Sequence, residues 1–255
     1  MTVFIGTSGW QYASWRGPFY PEDLAQGRWL EWFAERFQVV EVNNTFYRLP
    51  PPETFKSWAE RTPADFVIVP KVSRYLTHIK RLKDPEEPVR RFLDHAAPLA
   101  GKLGPLLVQL PPNLAADVAR LDAVLSQFGD RRVAVEFRHE SWFNEEVRSV
   151  LESHGAALCL ADRKSKTMTP MWRTAGWGYL RLHEGTASPR PCYGTAALDS
   201  WARRLADMWG RDADAYVFFN NDPRACAVRD AAAFARLAEK AGLAPSRVTA
   251  EVGKS

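Results

Sequence analysis

Eight short apolar runs, most of them followed by a stretch with helical spacing, restrict this 255-residue chain to very few architectures. The runs occupy residues 3–7, 39–43, 66–70, 105–110, 133–137, 157–161, 178–183 and 215–220. Helix-like segments follow at 24–37, from Pro52 onward, and at 86–102, 117–128, 142–154, 198–209 and 224–241. Only 163–176, after the sixth run, is too short and polar for a helix. Strand–helix alternation on this scale predicts an α/β fold, a single-domain TIM (β/α)8 barrel over residues 1–255. It also predicts a long aromatic-rich loop after strand one and a reduced connection after strand six. The rival is an open doubly wound sheet, which would place a Gly-rich fingerprint after the first strand. That turn reads Gly6-Thr7-Ser8-Gly9-Trp10-Gln11, neither GxGxxG nor GxxxxGK[ST], so nucleotide binding by such loops is unsupported.

The net charge of +4 and pI near 9.0 permit an anionic ligand without demanding one. Lys and Arg are dispersed, which excludes a basic arm. The three cysteines, Cys159, Cys192 and Cys226, are widely spaced and odd in number. They give no disulfide framework and no CxxC pair, so a reducing compartment is expected. The N-terminus lacks the pattern of a signal peptide, and no apolar run reaches the roughly 18 residues of a membrane span. The expectation is a soluble, cytoplasmic protein without membrane contact, its oligomeric state left open.

Side chains two residues apart on a strand share a face. Glu136 and Arg138 therefore leave the fifth run on one side, while Val133, Val135 and Phe137 take the other. The same parity puts Glu41 with Asn43 opposite Val40 and Val42, and Arg181 with His183 opposite Leu180 and Leu182. Lys71, Gln109, Asp162 and Asn220 complete a set of polar residues late in the runs. In a barrel these ends meet at the C-terminal mouth, where TIM-barrel sites are built. A buried ion-pair network, for instance between Glu136 and Arg181, is the structural alternative.

Glu41 and Glu136 could divide acid and base roles in glycoside hydrolysis. Lys71, Arg138 and Arg181 suit a phosphate or carboxylate, with Glu136 or Glu41 as base and His183 as acid. The expected catalytic set is thus Glu41, Glu136 and His183, in a possible hydrolase of phosphoesters or glycosides. Substrate contacts are expected from Trp10, Tyr12, Asn43, Lys71, Gln109, Arg138, Asp162, Arg181 and Asn220. No cofactor is predicted. The five histidines form no HxH or HExxH pair, although Glu41, Glu136 and Asp162 leave a Mg²⁺ site open. Cys159 reads as core, and no GxSxG elbow is present. Among the loop aromatics, Trp15, Phe19 and Tyr20 read as a satellite core, whereas Trp10 and Tyr12 could stack on sugars or bases. Nucleic acid remains open as a non-catalytic partner.

Several segments also resemble the YecE-like family, a domain of unknown function. They are Gly6-Thr7-Ser8-Gly9-Trp10 with Tyr12, Trp15, Gly17 and Phe19-Tyr20-Pro21; Glu41-Val42-Asn43-Asn44-Thr45-Phe46-Tyr47; and Gln109-Leu110-Pro111-Pro112. Glu136-Phe137-Arg138-His139 with Ser141-Trp142, Arg181-Leu182-His183 and Phe219-Asn220-Asn221 complete the match. Where family members commonly follow the strand-seven histidine with glycine, this chain has Glu184 and then Gly185. The resemblance implies a TIM barrel and supplies no activity.

Overall fold

A computed structural model describes residues 2–210 and 212–249. All eight apolar runs are strands: β1 (Val3–Ser8), β2 (Val39–Val42), β3 (Val67–Pro70), β4 (Leu106–Gln109), β5 (Val133–Glu136), β6 (Ala157–Arg163), β8 (Gly178–Glu184) and β9 (Ala215–Phe219). A short β7 (Lys166–Thr167) hangs antiparallel from β6. The hydrogen-bonded order β3-β2-β1-β9-β8-β6-β5-β4 is parallel throughout, and an isolated bridge from Lys71 to Leu107 brings its two edges together. The result is a nearly closed eight-strand barrel of the expected TIM type. Gly6 allows the tight β1–β2 approach, because a Cβ there would meet the Val39 carbonyl oxygen.

Parity divides the strand side chains between two cores. Val40, Val42, Val133, Val135, Leu180 and Leu182 pack outward beneath the helices. Val39, Val69, Leu107, Ala134, Cys159 and Phe218 fill the barrel. Burial of the outward set against amphipathic helices is the main stabilising force, at roughly 25 cal/mol per Å² of apolar surface.

The outer ring comprises α1 (Trp29–Arg36), the single turn α2 (Asn44–Tyr47), α3 (Pro52–Glu60), α4 (Glu86–Ala96), α5 (Val118–Ser126), α6 (Glu145–Ser153), α7 (Thr195–Trp209) and α8 (Cys226–Lys240). Local chemistry sets several boundaries. Asp117 and Asn144 accept from the backbone N–H groups of Arg120 and Val147, capping α5 and α6. Past α8, Gly242 takes φ +81° and Leu243 N–H donates to the Ala238 carbonyl, closing the helix.

After β6 a hairpin and an extended return replace the missing helix. Thr174 Oγ1 accepts from Leu158 N–H at 2.8 Å and donates to the Ala156 carbonyl at 2.7 Å. Trp172 packs on Phe143, and Arg173 donates to the Met208 carbonyl in α7. The segment thus covers β6 between α6 and α7.

In the first loop Trp15, Phe19 and Tyr20 are buried, and Tyr20 stacks on Trp29 at 4.5 Å. Trp15 Nε1 donates to the Asp222 carbonyl, tying this loop to the end of β9.

One expectation is corrected. Cys192 and Cys226 form a disulfide with Cα atoms 4.8 Å apart, leaving Cys159 as a free thiol in the barrel core. The loop after β8 folds back onto the first turn of α8, a long-range contact that a separation of 34 residues does not announce. The inference of a reducing compartment from unpaired cysteines therefore loses its basis. Among the described residues no helix is long and apolar enough to cross a membrane.

Candidate active site at the barrel mouth

The inward residues late in the strands converge on one charged ring. Arg181 lies between two carboxylates: Nη2 donates to Glu41 Oε1 at 2.7 Å and Nη1 to Glu136 Oε2 at 2.5 Å. Glu41 and Glu136 are wholly buried and Arg181 is 1 % exposed. Tyr179, one inward step before Arg181, donates its hydroxyl to Glu41 Oε2 at 2.7 Å. The second oxygen of Glu136 faces the mouth, taking Arg138 Nη2 at 2.6 Å and His183 Nε2 at 2.9 Å. Asn220 Nδ2 lies 3.1 Å from His183 Nδ1. With Asn220 donating to Nδ1, the imidazole proton sits on Nε2 and points at Glu136.

Two carboxylates and one shared guanidinium leave one negative charge, which Arg138 offsets at the surface. Burial pushes the Glu136 carboxyl up, but Arg181, His183 and Arg138 together hold it well below the usual carboxylate range. His183 is lowered: burial disfavours its cation more strongly than Glu136 favours it, so the ring is neutral at neutral pH. Lys71 Nζ donates to Gln109 Oε1 at 2.8 Å and sits 4.0 Å over the Phe46 ring. Burial, followed by the Arg181 charge, brings its pKa down to about 8.

Above the ring, an open cleft of about 450 Å³ is bordered by Arg138, Arg163, His183 and Asn220 together with the acids Glu184 and Asp222. Arg138 is one-third exposed there, and Arg163 pairs with Glu184 at 3.3 Å. Two guanidiniums and a neutral imidazole on one wall can hold an anion beside a proton-transfer group.

Glu41, Glu136, Arg138, Arg181, His183 and Asn220 thus form one connected network, and Lys71 with Gln109 stands next to it. Trp10, Tyr12 and Asn43 instead border a separate recess of about 130 Å³ over β1 and β2. Trp10 is buried edge-on against Trp58, which leaves its face unavailable for stacking. Asn43 Nδ2 and the Tyr12 hydroxyl both donate to the Ser8 carbonyl.

Asp162 does not reach the mouth. Ala161 has the inward parity of β6, so Asp162 points outward, accepting from Trp201 Nε1 and the Tyr193 hydroxyl at 2.9 Å each. Burial raises its carboxyl, against those two hydrogen bonds. The three acids considered for Mg²⁺ therefore do not converge, and a guanidinium separates the other two. Among the described residues no group of three or more His, Cys, Asp or Glu could hold a metal ion.

Tyr179 was not singled out from the sequence. Tyr179 was recoverable from parity, lying two residues before Arg181. Arg163 enters the cleft only because β6 continues past the apolar run.

Comparison with known proteins agrees with the barrel fold. UPF0759 protein YunF of Bacillus subtilis (strain 168) is 25% identical over 282 residues, covering 96% of this chain and 99% of that protein. UPF0759 protein YecE of Escherichia coli (strain K12) is 31% identical over 146 residues, covering 55% of this chain and half of that one. The crystal structure of a DUF72 family protein from Thermotoga maritima superposes with a TM-score of 0.83 at 29% identity, over 94% of this chain and all of the other. A fusion protein with a xylose isomerase-like TIM barrel matches with a TM-score of 0.56 at 14% identity, over 94% of this chain and 43% of that one, a likeness of fold alone. The family model described as protein of unknown function DUF72 matches residues 4–251, and the chain belongs to that family.

Proposed function

We propose that this chain is an enzyme that takes a phosphate-bearing anion into the cleft over β5, β8 and β9 and works by proton transfer through His183. The observation that carries the reading is the Glu136–His183–Asn220 chain beside Arg138: a buried carboxylate orients an imidazole that borders an open cleft into which Arg138 is partly exposed. With Nε2–H held by Glu136, Nδ1 is the nitrogen that takes a proton, which requires the Asn220 amide to give way, and the carboxylate then stabilises the imidazolium formed. Glu136 thus serves as the orienting carboxylate, and Arg138 and Arg163 supply the anion contacts. Arg181 bridges the two buried carboxylates and holds them in place rather than touching the ligand.

The glycosidase alternative fits less well. A glycosidase needs one carboxyl kept protonated by a raised pKa, and both within reach of the sugar. Here both are wholly buried and bridged by Arg181, and Glu136 is shifted the opposite way.

A thermal-shift panel of phosphomonoesters against matched uncharged alcohols tests the proposal. Arg138→Ala is expected to weaken phosphomonoester binding by roughly tenfold to a hundredfold, the worth of a charge-assisted hydrogen bond. His183→Gln should retain binding and lose about 10²–10⁴-fold in turnover. Binding that ignores Arg138→Ala would remove the reading.

A non-catalytic nucleic-acid-binding role has one observation in its favour. Tyr47 (69 % exposed) and Tyr75 (46 % exposed) stand on the helical turns after β2 and β3 beside exposed Arg48 and Arg74. Stacking on such rings contributes about 1–3 kcal/mol per base, and phosphate contacts make affinity fall steeply with salt. If fluorescence anisotropy with a labelled single-stranded oligonucleotide shows no binding at low salt, or binding indifferent to salt, this role is dismissed.

A further inference from the structure

We propose that Lys71 is an amine nucleophile that forms an imine with an aldehyde or ketone carrying the anionic group. The proposal rests on the anion-binding reading only for the substrate's charged end; the amine chemistry stands on its own geometry.

Lys71 follows β3 on the inward parity, next to the charged ring, and is 7 % exposed. A buried ammonium normally requires a carboxylate partner. Two carboxylates lie in the ring, yet Arg181 bridges both and Arg138 takes the remaining face of Glu136. Among the described residues no carboxylate lies within ion-pairing distance of Lys71 Nζ. Its hydrogen-bond acceptor is the neutral Gln109 Oε1, its underside is the Phe46 ring, and Arg181 and Arg138 are the charges that oppose it. Burial and the Arg181 and Arg138 charges favour the neutral amine and outweigh the opposing pull of Glu136 and Glu41, the setting that activates a lysine for attack on a carbonyl. Gln109 in turn is fixed by its donation to the Leu110 carbonyl at 2.6 Å, which aims its Oε1 at the amine.

The step balances without a co-reactant. The Nζ lone pair forms the C–N bond as the carbonyl π pair passes to oxygen. The two amine hydrogens follow to that oxygen, which leaves as water, and a C=N bond to Lys71 remains.

Borohydride trapping provides the test. The wild-type protein is incubated with pyridoxal 5′-phosphate, an aldehyde bearing a phosphate, or with pyridoxal, which lacks it. After reduction, peptide mass mapping locates the adducts. Lys71 is expected to be labelled at least tenfold faster than Lys56, whose side chain is 67 % exposed, with a rate that rises through about pH 8. Lys71→Met should lose that adduct while its melting temperature shows it folded. Labelling of Lys71 no faster than Lys56 overturns the proposal, and the mapping on wild type gives that answer without the variant. Arg138→Ala should slow labelling by the phosphate-bearing aldehyde alone. Loss of that difference with Lys71 labelling intact refutes the anion-binding reading and leaves the nucleophile standing.

Discussion

Arg181→Met is expected to destabilise the protein by about 3–5 kcal/mol, the penalty for removing one partner of a buried ion pair. At roughly 2–4 °C per kcal/mol for a chain of this size, the melting temperature should fall by on the order of 10 °C. The reason is desolvation. Glu41 and Glu136 have no exposed surface, and Arg181 satisfies an oxygen of each. Methionine matches the length of the stem and leaves both carboxylates without their shared cation. The triple variant Glu41→Gln, Glu136→Gln, Arg181→Met removes the charges together and should recover part of the loss. The pH dependence fixes the sign. In the wild type Glu136 is held well below its ordinary value, so its contribution is fully present above the unfolded carboxylate pKa of about 4.3 and is lost only as pH falls through the depressed folded value. Without Arg181, burial acts on Glu136 against only Arg138 and His183, and its carboxyl moves up. The variant's deficit should therefore shrink as pH falls from 7 to 5. A melting temperature within 2 °C of wild type at pH 7 would show that the ring is not the electrostatic keystone described here.

Breaking the Cys192–Cys226 bond should cost about 4 kcal/mol, the chain-entropy value for a loop closed across 34 residues. A reductant, or the Cys192→Ser/Cys226→Ser pair, is expected to lower the melting temperature by about 8–16 °C. The bond ties the loop after β8 to α8 beside the cleft, where Asn221 Nδ2 donates to the Pro191 carbonyl at 3.0 Å and to Asp230 at 2.7 Å. Thiol titration of the denatured protein checks the premise: one free thiol, Cys159, before reduction and three after. Three thiols before reduction, with a melting temperature indifferent to reductant, would sink this prediction.

Period-two patterning made the barrel readable. Val133, Val135 and Phe137 could face only the helices if Glu136 faced inward, and the same logic at Val40, Val42, Leu180 and Leu182 assembled the ring residue by residue. Asp162 shows the limit of the method. Its strand reads Ala-Leu-Cys-Leu-Ala without a polar marker of parity, and small or apolar residues are tolerated on both faces of a buried parallel strand. The face was settled by Trp201 and Tyr193, which offer two donors on the outer side. The cysteines were illegible for a different reason, since a pairing between a loop and a distant helix leaves no local spacing signal.

Strand number, strand order around a closed ring, and the inward placement of Glu41, Glu136, Arg181 and His183 followed from the sequence, because alternation and burial are local constraints that the chain carries in its pattern. Tertiary structure alone decided how those charges are used. Whether Arg181 reaches a ligand or bridges two carboxylates depends on distances across the barrel, between residues 45 and 140 positions apart. At that separation, geometry and desolvation govern the outcome. They place the carboxylates and Arg181 in the buried floor of the site and leave His183 and Arg138 bordering the open cleft.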